Sequence, residues 1–222
     1  MNRNYLSVDD AVYRLLSEHS DGTFPVSPLK IAKSMGVRVV AKKDARELIQ
    51  CLVPDGSLDD IPALTFSLGG EKYILIDTDH GDAIYRRMLI AHELGHIVLG
   101  DGISEDSCAA TRFVHGKFQR SMMEMCCDLF ALALLVPRAV LALGGVRTVA
   151  EIARVCDVHP ETAFIAAGSI RARKSAYSSD AFNTWRKFAP GLQERRQLVA
   201  RKGAMRPSVP WLQTDISAEL TF

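Results

Sequence analysis

The chain has 222 residues, 48% hydrophobic and 24% charged, with a formal net charge of +1 and a mean hydropathy of +0.05. That composition suits one globular domain, alone or with a small appendage, and excludes a large multidomain assembly. Residues 1–170 carry 17 Lys/Arg against 22 Asp/Glu, and residues 171–222 carry 10 against 4, so only the tail is basic and the bulk is no nucleic-acid-binding domain of the strongly cationic kind.

In chain order, Ser7 caps an expected helix to Glu18, with Val8, Val12, Leu15 and Leu16 at helical spacing. Pro28 to Met35 reads as a short helix stopped by Gly36, followed by a β-branched strand from Val37 to Ala41. Leu64–Leu68 and Tyr73–Ile76 flank Gly69-Gly70 as a hairpin. A long helix is expected from Ala83 to Leu99, capped by Asp79 or Asp82 and ended by Gly100, then a second from Met122 to Val136, stopped by Pro137. Val149–Ala153 and Pro160–Ile170 form a short helix pair, and beyond Arg171 a basic, semi-ordered tail is expected.

The longest unbroken apolar run, Leu129 to Val136, is far short of the roughly 20 residues of a membrane span, so no anchor is expected. Asp9, Asp10, Arg14 and Glu18 break any early apolar stretch that could drive export. The five cysteines are odd in number, and Cys126 and Cys127 are adjacent, so a disulfide framework is not expected and a reducing cytoplasm is.

The decisive motif is His92-Glu93-Leu94-Gly95-His96 on the long helix. Four residues turn through about 400°, so both imidazoles share one face and can share one metal ion. Glu93 lies about 100° around the helix, placed to act as general base on a water beside them. With 6 His and 10 Glu in the chain, an accidental match has a chance of about 0.7%. A catalytic zinc keeps three protein ligands and one open position. Glu124 on the following helix is the candidate third ligand, and Asp128, one turn on, can hold a ligand histidine by its other ring nitrogen. Ser121-x-x-Glu124 also fits a capping box, which would give Glu124 a structural role instead.

The pattern HELGH, then Glu124-x-x-x-Asp128-x-Phe130-Ala131-x-x-Leu134-Leu135-x-Pro137, resembles the ImmA/IrrE metallopeptidases. Their pattern is HExxH followed by E-x-x-A-(N/D)-x-F-A-x-x-L-L-x-P, and the resemblance extends loosely over residues 25–170. Cys127 replaces the usual Ala, and Cys126 stands where an acidic residue is common. The resemblance implies an α+β, zincin-like core, a small antiparallel sheet plus active-site helices, with a C-terminal helical extension. It implies zinc on His92, His96 and Glu124, with manganese or another divalent ion as the alternative. The implied substrate is a protein, a helix-turn-helix repressor of a mobile element or stress response. The corresponding domain reading is a peptidase domain over 1–147, a helix-turn-helix-like appendage over 148–174 and a basic tail over 175–222.

Further candidates carry less specific spacing. Tyr85, before the motif, and His115, between the helices, are the candidate oxyanion stabilisers. Either hairpin strand could offer an edge to an extended substrate. Cys127 reads as a small packing residue, though a thiol there would be a soft competing ligand. The aspartates around His80 lack the order of a calcium loop and read as turn and cap residues. Two alternatives to a peptidase stand beside it. One is DNA binding by the helix pair, ending in Arg171, Arg173 and Lys174, although Phe164, Ile165, Ala166 and Ala167 are poor base readers. The other is a metal-sensing regulator with a vestigial site, against which the intact Glu93 argues.

Overall fold

A computed structural model describes residues 7–45, 61–79, 81–100, 122–172 and 178–204. In chain order they form α1 (Val8–His19), α2 (Pro28–Ser34), β1 (Arg38–Ala41), β2 (Ala63–Leu68), β3 (Glu71–Ile76), α3 (Ala83–Leu99), α4 (Met122–Leu135), α5 (Arg138–Leu143), α6 (Val149–Cys156), α7 (Pro160–Ala172) and α8 (Ser179–Ala204). The described residues divide into two compact units, one within 7–27 and 132–204, the other within 28–131. The cut falls inside α4, between Ala131 and Leu132, and differs from the divisions at 147 and 174 read from the sequence.

The sheet unit holds α2, the strands, α3 and the first part of α4. Gly69 and Gly70 both have positive φ, as a two-residue hairpin loop demands, and they join β2 to β3. The strand order is β1-β3-β2, and β2 pairs antiparallel with β3, setting Thr65 opposite Ile74. β1 joins the other side of β3 in parallel, with Arg38 opposite Tyr73, so the sheet is mixed and the expectation of an antiparallel one is corrected. The hairpin signal covers only β2 and β3; β1 reaches the sheet through a long connection, which leaves its direction free. α3 lies against β2, β3 and α2. Asp82 caps it by accepting from the Tyr85 N–H at 2.7 Å, and Gly100 ends it at φ 74°.

The helical unit holds α1 and α5 to α8. Pro137 stops α4 as expected, yet the chain turns at once into α5, whose early Ala139 N–H donates to the Tyr13 hydroxyl at 3.1 Å. Arg138 pairs with Asp9 of α1. α8 corrects the expectation of a semi-ordered tail through much of that segment: it is a helix of 26 residues with Pro190 inside it. Ala181, Thr184, Phe188, Leu192 and Val199 form its buried stripe, which outweighs its charge and its proline. Three of its cations serve helix ends. Lys187 donates to the Leu16 and Ser17 carbonyls, Arg195 to Arg154 and Val155, and Arg196 to Gly144 while pairing with Glu151.

By length and composition one stretch, Met122–Leu143, could cross a membrane. Most of it is buried, Phe130, Leu134, Leu135 and Val140 completely or nearly so, and Pro137 interrupts it, so core packing accounts for its apolarity.

Gly191 of α8 is set by close approach: a Cβ there would press on the Gly22 carbonyl and lie 3.2 Å from the Thr23 Cα. Gly168 of α7 has nothing within 4 Å of its would-be Cβ. Urea melts should therefore show Gly191→Ala destabilised by about 1–3 kcal/mol and Gly168→Ala unchanged or stabilised by up to about 1 kcal/mol.

Candidate metal centre

The centre is built where α3 meets α4 in the sheet unit. Gly95 makes that approach: a Cβ there would lie 3.1 Å from the Cα and 3.3 Å from the Sγ of buried Cys127. The absent side chain lets α4 bring Glu124 and Asp128, one turn apart, to the histidine face of α3. His92 and His96 present their Nε2 atoms to each other at 3.2 Å. The Glu124 carboxylate meets both, Oε2 at 3.2 Å from His92 Nε2 and Oε1 at 3.5 Å from His96 Nε2. On the far side of the His92 ring, Asp128 Oδ1 lies 3.0 Å from Nδ1.

The Asp128 contact decides how this cluster behaves. A carboxylate can only accept, so Nδ1 carries the proton, and a neutral His92 then turns a bare Nε2 lone pair towards Glu124. Two acceptors at 3.2 Å repel unless a proton or a cation lies between them. Nitrogen and oxygen donors about 2.0–2.1 Å from a tetrahedral zinc ion stand about 3.3 Å apart; the two ring nitrogens lie 3.2 Å from each other, and 3.2 and 3.5 Å from different oxygens of the Glu124 carboxylate. The chemistry and spacing of this donor set suit a divalent ion.

A second set is also present: His92, His96 and Cys127 offer ligand atoms all within 4.8 Å of one another. The thiol enters the group because α4 lies so near Gly95, which also suits the small packing residue expected at 127. Glu124 makes two short contacts with the rings and its side chain is about one-third exposed, whereas Cys127 is fully buried.

Glu93 lies beside this face, buried and held by the sheet. Thr65 of β2 donates its hydroxyl hydrogen to Glu93 Oε2 at 2.6 Å, and its oxygen also lies 3.3 Å from the Glu93 carbonyl oxygen. Burial pushes the Glu93 carboxyl above its usual range, while the Thr65 hydrogen bond and the nearby His96 and His92 pull it back. Sequence reasoning missed Thr65. Its signal was alternation, since a polar residue between Leu64 and Phe66 falls on the opposite face from both.

The structure does not bring every candidate together. The Tyr85 ring packs over Gly81 in the first turn of α3, about 10 Å along the axis from His92. His115 and Ser121, and with Ser121 the capping-box alternative, lie outside the described residues. Asp77 accepts from the Asp79 N–H at 3.0 Å and Asp82 caps α3, turn and cap roles that leave no calcium loop to explain.

Competition against a chelator should separate the two donor sets. Glu124→Ala should lose the metal at far lower chelator concentration than the parent, Asp128→Asn should weaken retention by about 10- to 100-fold, and Cys127→Ala should retain it. Loss of metal in Cys127→Ala with retention in Glu124→Ala would assign the thiol instead.

A model of the peptidase M78 family, described as the IrrE N-terminal-like domain, matches residues 32–163. No curated protein and no solved structure matches the chain. The match spans more than half of the sequence and takes in the sheet, α3 and α4, with every side chain of the centre described above. The chain therefore belongs to the peptidase M78 family, the ImmA/IrrE metallopeptidases.

Proposed function

We propose that this chain is a cytoplasmic, zinc-dependent endopeptidase that cleaves a helix-turn-helix transcriptional repressor. The observation that carries the reading is the convergence of the His92 and His96 Nε2 atoms and both oxygens of Glu124, beside the buried carboxylate of Glu93 on α3. Zinc is the ion that best suits two imidazoles and one carboxylate, with manganese the alternative for the same ligands. When bound, such an ion supplies Lewis acidity towards water and the scissile carbonyl.

The chain's own residues supply the rest. Asp128 holds the His92 ring and its tautomer. Glu93 takes a proton from the attacking water and returns it to the leaving amine. β3 is paired on both sides, so β2 is the hairpin strand with a free edge among the described residues, and it lies against α3. An extended substrate segment adding to β2 would be read mainly through its backbone. His115, outside the described residues, stands as the oxyanion candidate ahead of Tyr85, which lies about 10 Å along α3 from His92, and the zincin-like description of the core rests on this same arrangement of sheet and two helices.

The cytoplasmic assignment rests on Cys126, Cys127 and Cys156, which form no disulfide among the described residues. DNA contact has less support. α7 exposes Phe164 and Ile165, which are poor base readers, and Arg173 and Lys174 lie outside the described residues.

The test is a digest of a panel of helix-turn-helix repressors, beginning with any encoded beside this chain, using zinc-loaded protein with and without chelator. Glu93→Gln should retain zinc and lose cleavage by at least about 100-fold. Cleavage by that variant at the parent rate would refute the mechanism.

A further inference from the structure

We infer that Thr65 is the positioning residue for the general base, its hydroxyl fixing which carboxylate oxygen Glu93 presents to the reacting water. The inference rests on the peptidase reading above and adds to it a residue on a different element, 28 positions away in the chain.

A glutamate carboxylate turns broadly about its last torsion, so an unheld Glu93 would offer its two oxygens in many orientations. A general base must sit within hydrogen-bond reach of the proton it removes, and that freedom is what has to be removed. Thr65 is 1% exposed and stands on β2, where alternation turns it towards α3 and turns Leu64 and Phe66 away. Its oxygen lies 2.6 Å from Glu93 Oε2, the length of a hydroxyl donating to a carboxylate, and 3.3 Å from the Glu93 carbonyl. A hydroxyl has one hydrogen, so the short contact claims it and Oε2 is committed. Oε1 is left as the oxygen that can accept from water.

Threonine suits this task for two reasons. Its β-branched side chain has a stiff first torsion, so the hydroxyl is aimed by the strand rather than by chance. Its strand is held in register by the antiparallel ladder to β3, Thr65 opposite Ile74, and the aromatic pair Phe66–Tyr73 stacks at 5.0 Å beside it. The strand with a free edge for substrate thus also holds the base. A substrate segment added to β2 and the oxygen of Glu93 would be placed by one rigid element.

The experiment compares Thr65→Val, which keeps the shape and removes the hydroxyl, with Thr65→Ser, which keeps the hydroxyl. Both are made in the full chain, and hydrolysis of an internally quenched decapeptide library is followed after zinc loading. Thr65→Val should lower kcat by roughly 10- to 100-fold, with KM and zinc retention close to the parent and a melting temperature lowered only by the loss of one buried hydrogen bond, and Thr65→Ser should restore kcat to within a few-fold. An independent readout is the side-chain carboxyl carbon resonance of Glu93 in 13C-glutamate-labelled protein, with and without zinc, assigned by its loss in Glu93→Gln. It should move in Thr65→Val and stay in Thr65→Ser.

An unmoved resonance in Thr65→Val, an unchanged kcat in that variant, or equal damage from Val and Ser would overturn the inference. Parent-like hydrolysis by Glu93→Gln would instead remove the base from the mechanism, while the resonance would still report whether Thr65 holds the carboxylate.

Discussion

Everything in the centre depends on how closely α4 can lie on α3. A helix pair with ordinary side chains at the crossing keeps its axes 8–10 Å apart, and a carboxylate on one then reaches a histidine on the other only if the crossing is tight and in register. Gly95 supplies the tightness, and Cys127 fills the space opposite with a small side chain. The residues that meet across this crossing lie one turn apart on each helix, His92 with His96 and Glu124 with Asp128. Two pairs of equal pitch therefore face each other, and two ring nitrogens and the Glu124 carboxylate come together with contacts of 3.2–3.5 Å. That much unshielded electron density in one place makes sense around a cation and costs stability without one.

The sheet sets up the other half of the site. Glu93 must leave the ligand face of α3, and the one direction available is towards β2, into a buried position where a charged carboxylate is disfavoured. The Thr65 hydroxyl and the adjacent imidazoles offset part of that cost. The result is one carboxylate turned to the open side, at Glu124, and another enclosed against a strand, at Glu93, with environments that suit one to a metal and the other to proton transfer.

What could be read from the sequence was local. HExxH carries its own geometry because helix pitch alone puts His92 over His96, and the Glu124–Asp128 spacing follows the same rule. Helix ends were legible wherever a cap or a glycine marked them, as at Ser7, Asp82 and Gly100. The long-range features were not. Nothing in Val37–Ala41 says that β1 will run parallel to β3, since pairing direction is decided by the path of the intervening chain. The segment beyond Arg171 reads as a basic, semi-ordered tail until the buried stripe of α8 and the carbonyl ends served by Arg195 and Arg196 are seen. Thr65 and Glu93 lie far apart in sequence and no motif joins them; only the fold does.

The most direct test of the convergence itself is X-ray absorption at the zinc edge on the full chain loaded with one equivalent of zinc. The account predicts a shell of nitrogen and oxygen scatterers near 2.0–2.2 Å with imidazole outer-shell features from two rings and no sulfur. A scatterer at about 2.3 Å that disappears in Cys127→Ala would place the thiol on the metal, close the position left for solvent, and contradict the hydrolytic centre described here.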